Sequence, residues 1–153
     1  MVIFKRNRKT EDAPRQITVT LPDVKQAVRQ FEKDMPASIN RTVLLREDKS
    51  LDLNRLTRYL GGTTEQKFYM SRETFEIFSE DDRLIPYYLD MVQSAVDCYL
   101  SDTGKLPLME DVRLPQVHYR LLASGRYLKE MPPFPLYITD EEMMLTHREE
   151  YFK

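Results

Sequence analysis

The chain has no tryptophan, one cysteine, two histidines and four glycines among its 153 residues. The single cysteine, Cys98, excludes an intramolecular disulfide and is typical of a reducing compartment. The two histidines, His118 and His147, lie too far apart for the short ligand spacings of common zinc motifs. No nucleophile–base pair or phosphate-binding loop stands out either. We therefore expect no metal, no cofactor and no catalytic residue.

Long hydrophobic runs are also absent. No stretch approaches the ~20 consecutive apolar residues that a membrane-spanning helix needs. The first apolar residues, Val2 to Phe4, are few and precede the positive charges, which is the reverse of a secretory signal peptide. The expectation is a cytoplasmic protein without stable membrane insertion.

Charged residues are abundant, at 31%, and the net charge is −2. Positive charges cluster at the start of the chain, at Lys5, Arg6, Arg8 and Lys9, and the remainder is mildly acidic. An acidic body opposes binding to nucleic acid, because neutralising phosphates requires a basic face. We interpret residues 1–14 as a flexible basic tail and residues 15–153 as a single domain.

Apolar periodicity predicts short strands alternating with helices. The strands are expected over Arg15–Leu21, Thr42–Glu47 and Lys67–Met70, with a closing hairpin over 136–147. The helices are expected between Pro22 and Pro36, over 53–60, from Ser71, from Pro86 to the stop at Gly104, and over Val117–Ser124. This order predicts an α+β fold in which a small antiparallel or mixed sheet packs with about five helices.

Carboxylates form two groups that local chemistry could use. Asp90, Ser94 and Asp97 follow one face of the long helix, where a water-facing stripe is expected opposite its apolar face. An acidic run, Glu73 to Asp82, is first of all solvated surface, although it could also attract a basic partner. Cys98, next to core positions, is expected to pack.

Tyrosine and methionine crowd the C-terminal half of the chain. Amphipathic aromatic rings and adaptable thioethers are enriched at protein interfaces, and they also fill small cores that lack tryptophan. Prolines 132, 133 and 135 hold the chain extended and stiff between several of these residues. The candidate interface consists of Tyr119, Tyr127, Phe134, Tyr137, Met143 and Met144.

Two resemblances extend this interpretation. Residues 89–137 resemble, in layout, the globular part of type IV pilins and type II secretion pseudopilins, which implies a structural module. The segments that carry this resemblance are AVDCYLSDTGKLP (95–107) and GRYLKEMP (125–132). The segments YLGG (59–62), FYMS (68–71), LDMVQ (89–93) and YITDEE (137–142) resemble an uncharacterised conserved family of spore-forming Gram-positive bacteria. That second resemblance covers 15–150 and implies no activity.

These observations favour a non-enzymatic cytoplasmic adaptor or regulator that acts by protein–protein interaction. One alternative is a small ligand-binding or enzymatic domain whose site is assembled from scattered residues. Another is the pseudopilin-like structural module. A nucleic-acid binder, with the helix near Tyr119 and the final hairpin as helix and wing, is opposed by the acidic hairpin tip at Asp140–Glu142. The sequence leaves the identity of any partner and the oligomeric state open.

Deletion of residues 1–14 is expected to leave the melting temperature within a few degrees of that of the full-length chain. The segment lacks apolar periodicity and clusters like charges, so it has little to pack with. Thermal unfolding followed by circular dichroism measures the effect. Loss of cooperative unfolding in the shortened chain would contradict the assignment of a dispensable tail.

Overall fold

The computed structural model describes residues 14–153, so the predicted basic tail lies outside the described residues except for Pro14. The chain forms two compact units, one ending at Phe68 and one running from Tyr69 to Lys153. Within the described range, four α-helices and two two-stranded antiparallel sheets confirm the α+β class, with one helix fewer than expected. The single domain over 15–153 stays a prediction.

The first unit begins with helix α1 (Leu21–Asp34), as predicted. Thr20 caps it reciprocally with Asp23: the Thr20 Oγ1 atom accepts from the Asp23 N–H at 3.3 Å, and the Asp23 carboxylate accepts from the Thr20 N–H at 2.9 Å. The strand expected before it is wrong. Only an isolated parallel bridge between Gln16 and Thr63 forms there. Further along, the Gln66 side chain occupies both backbone groups of Val19: its Oε1 atom accepts from the Val19 N–H at 2.8 Å, and its Nε2 atom donates to the Val19 carbonyl at 2.9 Å.

The strand expected over 42–47 is also wrong, because the chain forms a 3-10 helix over Arg41–Leu44. The Asn40 side chain accepts from the Thr42 N–H at 2.9 Å, which closes a turn where an extended backbone was expected. A second 3-10 helix, Leu53–Leu56, then leads into helix α2 (Thr57–Leu60), as the periodicity predicted. Gly61 ends α2 in a left-handed conformation, at φ 84°.

Strand β1 (Phe68–Met70) begins at the last residue of the first unit and continues into the second, and it pairs with β2 (Ile77–Ser79). The helix expected from Ser71 does not form, although the Ser71 Oγ atom does accept from the Thr74 N–H at 2.9 Å, as a helix cap would. After that single turn, Phe75 adopts a left-handed φ of 65° and turns the chain into β2. A cap signal therefore produced one turn instead of a helix.

Helix α3 (Leu84–Thr103) is the longest element, and Gly104 ends it at φ 74°, as predicted. Val92 and Val96 are fully buried on its apolar face. Cys98 is exposed, so the expectation that it packs is wrong; it lies on the outward side of the helix. Within 14–153, no helix combines the length and the apolar composition needed to cross a membrane.

The predicted water-facing stripe of α3 is confirmed at Ser94 and Asp97 but not at Asp90, which is half-buried. The Asp90 carboxylate accepts from the Ser71 hydroxyl at 2.6 Å and from the Arg72 N–H at 3.0 Å. Asp90 therefore anchors the loop between β1 and β2, a structural role that the sequence pattern did not indicate.

The remaining elements of the second unit are helix α4 (Tyr119–Ser124) and the hairpin of β3 (Tyr137–Ile138) and β4 (Leu145–Thr146), which confirm the predicted helix and hairpin. His118 caps α4, since its Nδ1 atom accepts from the Leu121 N–H at 3.2 Å. Residues from these elements, from α3 and β2, and from the loops between them form one buried core: Phe78, Leu89, Val92, Ala95, Val96, Val117, Leu122, Leu128, Leu136, Ile138 and Leu145.

A buried amide ties the hairpin to α3. The Gln93 side chain is only 5% exposed. Its Nε2 atom donates to the Met143 carbonyl at 3.1 Å, and its Oε1 atom accepts from the Leu145 N–H at 2.9 Å. Because a buried backbone group without a partner is costly, Gln93 stabilises the hairpin end that approaches α3.

Gln93→Met is expected to lower the free energy of unfolding by about 1–3 kcal/mol, the usual cost of buried hydrogen-bonding groups left without partners. The substitution keeps the length of the side chain, so packing changes little. Chemical denaturation measures the difference. Ser94→Ala, one residue further and exposed, is the control and should stay within ~0.5 kcal/mol. Equal stabilities of the two variants would contradict the role assigned to Gln93.

Candidate functional site

The six residues predicted to form an interface lie in different environments. Tyr137 is 3% exposed and belongs to the core, so it offers almost no surface to a partner. Tyr119, Tyr127 and Phe134 are partly buried against the core. Met143 is exposed at the hairpin tip, and Met144 is half-buried beside it.

The structure does not gather these six into one strip. Tyr127 donates to Asp102 at 2.7 Å, near the end of α3, whereas the ring of Phe134 packs edge-on against Tyr88, near its start, with centroids 5.6 Å apart. Since an α-helix rises ~1.5 Å per residue, Tyr88 and Asp102 lie roughly 20 Å apart along the axis. The two rings therefore lie near opposite ends of α3.

Two large apolar side chains are exposed at the start of α3. Leu84 and Tyr87 lie one turn apart on that helix and are 53% and 40% exposed. The Tyr87 hydroxyl donates to Glu130 at 3.0 Å, and the next residue, Met131, is 50% exposed. With Phe134, these side chains form a surface that we call the apolar platform: Leu84, Tyr87, Met131 and Phe134.

The platform is held in place by contacts beneath it. The Glu130 carboxylate accepts from Tyr87 and also from Tyr88, the latter at 2.5 Å. These hydrogen bonds raise the pKa of both tyrosines, so their hydroxyls stay protonated donors. The Tyr119 hydroxyl donates to the Phe134 carbonyl at 2.8 Å and fixes the proline-rich segment. Two members of the platform, Tyr87 and Phe134, are therefore held in place by these contacts.

A cleft of about 420 Å³ adjoins the platform at Phe134. It is bounded by Phe134 and Pro135 from the proline-rich segment, Ile85 from α3, and residues that belong to β3 or follow β4. We call it the C-terminal cleft; its lining residues are Ile85, Phe134, Pro135, Tyr137, His147, Glu149 and Glu150. Its walls are apolar and its titratable groups come from the last residues of the chain.

His147 is the unusual group of the C-terminal cleft. Among residues 14–153 its Nδ1 atom finds no hydrogen-bond partner, although the atom is buried and lies 3.9 Å from the Glu76 carboxylate. Its ring packs at a tilt against Phe78, with centroids 5.5 Å apart. Burial lowers the pKa of His147, and the nearby carboxylates of Glu76, Asp82 and Glu150 counter this only in part.

The positive charge beside the cleft belongs to Arg148, which already pairs with carboxylates. Arg148 donates twice to one oxygen of Glu76, at 2.9 and 2.7 Å, across 72 residues of sequence. It also lies 3.8 Å from Glu150. Glu149 accepts from the Tyr137 hydroxyl at 3.0 Å and has no cation partner among the described residues. The mouth of the cleft therefore carries more negative than positive charge.

The family of the chain follows from a comparison with family models. The model described as "Protein of unknown function (DUF3939)" matches residues 14–147. The chain belongs to this family. No curated protein and no solved structure matches it. The prediction of an uncharacterised family is thus confirmed, and the apolar platform together with most of the C-terminal cleft lies within the DUF3939 match.

The first unit of this DUF3939 chain has a depression of its own, of about 480 Å³. Some of its polar side chains are paired within the lining: the Ser50 hydroxyl donates to Asp48 at 2.5 Å, and the Thr64 hydroxyl donates to Gln66 at 2.9 Å. Arg46, also in the lining, lies 3.2 Å from Asp52. Nowhere in 14–153 are three or more His, Cys, Asp or Glu side chains grouped so that they could hold a metal ion.

Sequence reasoning missed two parts of the site. Leu84 gives no signal, because a leucine near the start of a helix is ordinary core material by pattern. The burial of His147 gives none either, because its position beside Glu76 joins residues distant in sequence. The one available signal is the acidic run before α3, which could attract a basic partner.

His147→Gln is expected to reduce the loss of stability on acidification. An unfolded histidine binds a proton near pH 6.5, whereas the lowered pKa of His147 delays this in the folded state. As the pH falls through 6.5, the unfolded state binds more protons and is favoured. Melting temperatures between pH 7.5 and pH 5.5 should therefore fall more for the natural protein than for the variant. Identical pH profiles would show that His147 does not titrate differently on folding.

Proposed function

We propose that this protein is a non-enzymatic adaptor or regulator of the cytoplasm that binds a segment of a partner protein on the apolar platform. The observation that carries the proposal is the grouping of Leu84, Tyr87 and Met131, three large apolar side chains that are each at least 40% exposed. Scattered apolar residues are normal on a protein surface, whereas large ones brought near each other support an interaction site. Leu84 and Tyr87 are one helical turn apart, and Met131 follows Glu130, which accepts from Tyr87.

Restricted motion makes Tyr87 a suitable anchor for a partner. Binding freezes rotamers, and a surface already ordered by hydrogen bonds and ring contacts loses less entropy when a partner docks. Tyr87 contacts both Glu130 and the ring of Tyr88, with centroids 5.0 Å apart. Tyrosines of this kind are frequent among residues that dominate binding energy.

Charge indicates the chemistry of the partner. The 3-10 helix Glu80–Asp82 is exposed and leads into α3 just before Leu84. Glu130 is an exposed residue whose carboxylate accepts from Tyr87. A complementary partner segment therefore combines apolar side chains with positive charge. Occurrence in spore-forming Gram-positive bacteria and the pilin-like role of 89–137 stay predictions that follow from the resemblances.

A photo-crosslinking amino acid in place of Leu84 is expected to yield one discrete covalent adduct in the cells that produce the protein. The matched control carries the crosslinker at Val112, which is 40% exposed but lies in the loop that precedes α4. Mass spectrometry identifies the partner protein in the adduct. That partner is then purified in its free form, and the Kd of its complex with this chain is measured.

Met131→Ala should weaken that Kd by about tenfold, since a central apolar contact contributes on the order of 1–2 kcal/mol. Val112→Ala should leave it unchanged. Adducts of the same pattern from both crosslinker positions, or no adduct from Leu84, would refute the platform as a binding surface.

A further inference from the structure

We infer that the C-terminal cleft receives a lysine or arginine side chain of the segment that docks on the apolar platform. This inference rests on the proposed function and specifies it. The cleft and the platform share Phe134, and Ile85 follows Leu84 directly in α3, so a bound segment that covers the platform passes the mouth of the cleft.

The shape and lining of the cleft suit a long side chain with a charge at its end. Ile85, Phe134 and Pro135 provide apolar wall against which the methylene stem of lysine or arginine packs. The ring of Phe134, which is only partly buried, adds aromatic surface, and aromatic rings attract cations. A purely apolar side chain would use these walls but leave the carboxylates at the mouth without a partner.

The charges at the mouth select a cation. Glu149 and Glu150 both line the cleft, and Glu149 is held in place by the hydrogen bond from Tyr137. A carboxylate that accepts one hydroxyl still has capacity for an ammonium or guanidinium donor. Hydrogen bonds to charged donors are among the stronger ones, and they are strengthened where water is partly excluded.

Neither basic group of the cleft opposes this cation. His147 is neutral near pH 7, because burial lowers its pKa. Arg148 directs its guanidinium to Glu76 through two hydrogen bonds and reaches Glu150 only at 3.8 Å. An anionic ligand would therefore meet Glu149 and Glu150 with no free cation of this cluster to receive it.

A random dodecapeptide library displayed on phage provides the test, with the full-length protein as the target. The natural protein should enrich peptides that place a lysine or arginine at a fixed spacing from an apolar residue. The tightest such peptide is then synthesised twice, once as selected and once with norleucine in place of its basic residue. Norleucine removes the charge but keeps the aliphatic stem, and should weaken the Kd by about tenfold.

The decisive variant is Glu149→Gln combined with Glu150→Gln, in which the glutamine oxygen can still accept from Tyr137. Against this variant the two synthetic peptides should bind equally, which assigns the cation to these carboxylates. Its control is Glu141→Gln combined with Glu142→Gln, which removes the same charge from the exposed hairpin tip and should preserve the tenfold difference.

The outcomes separate this inference from the proposed function. Peptides that bind through Leu84 and Tyr87 without any preference for basic residues would overturn the inference and leave the platform intact. Loss of the tenfold difference in the control as well would also overturn it, because general electrostatic attraction would then explain the preference. If the natural protein enriches no peptide at all, the platform itself is refuted.

Discussion

The second unit depends on one buried amide. Strands β3 and β4 contain two residues each, and so short a hairpin is not stable by itself in water. Gln93 satisfies backbone groups at Met143 and Leu145, so the hairpin is attached to α3 at its strained end. Glu142 and Met143 adopt left-handed φ values of 54° and 61° there, without glycine or asparagine to relieve the strain. The residues at the mouth of the cleft follow β4 in the chain. The attachment of the hairpin to α3 therefore also sets their position.

A second constraint sets the position of the apolar platform. Glu130 accepts from two consecutive tyrosines of α3, so one carboxylate links the proline-rich segment to the helix at two points. Tyr119 completes the attachment through the Phe134 carbonyl. The prolines remove backbone donors, and side chains supply the missing connections. This arrangement explains why large side chains remain exposed in an ordered region, which is the property that a docking surface requires.

Local signals predicted the helices well, because caps and stops act within a few residues. Thr20 with Asp23 starts α1, and Gly61 and Gly104 end helices as expected. The error at Ser71 has a long-range cause. Its cap geometry is real, but the Ser71 hydroxyl also donates to Asp90, 19 residues away, and this contact favours a single turn before β2. Pattern reasoning could not weigh that contact against helix propagation.

The sequence by itself determined the α+β class, the main helix boundaries, the closing hairpin and the impossibility of an internal disulfide, since each depends on composition or on neighbours along the chain. Only the tertiary structure decided which aromatic side chains are exposed. Tyrosine suits core and surface alike, and its place depends on where its hydroxyl finds a partner. The Tyr88 hydroxyl finds its partner, Glu130, 42 residues away. The guanidinium of Arg148, beside the cleft, finds Glu76 across 72 residues. Contacts over such separations arise from packing of whole elements, which no local pattern encodes.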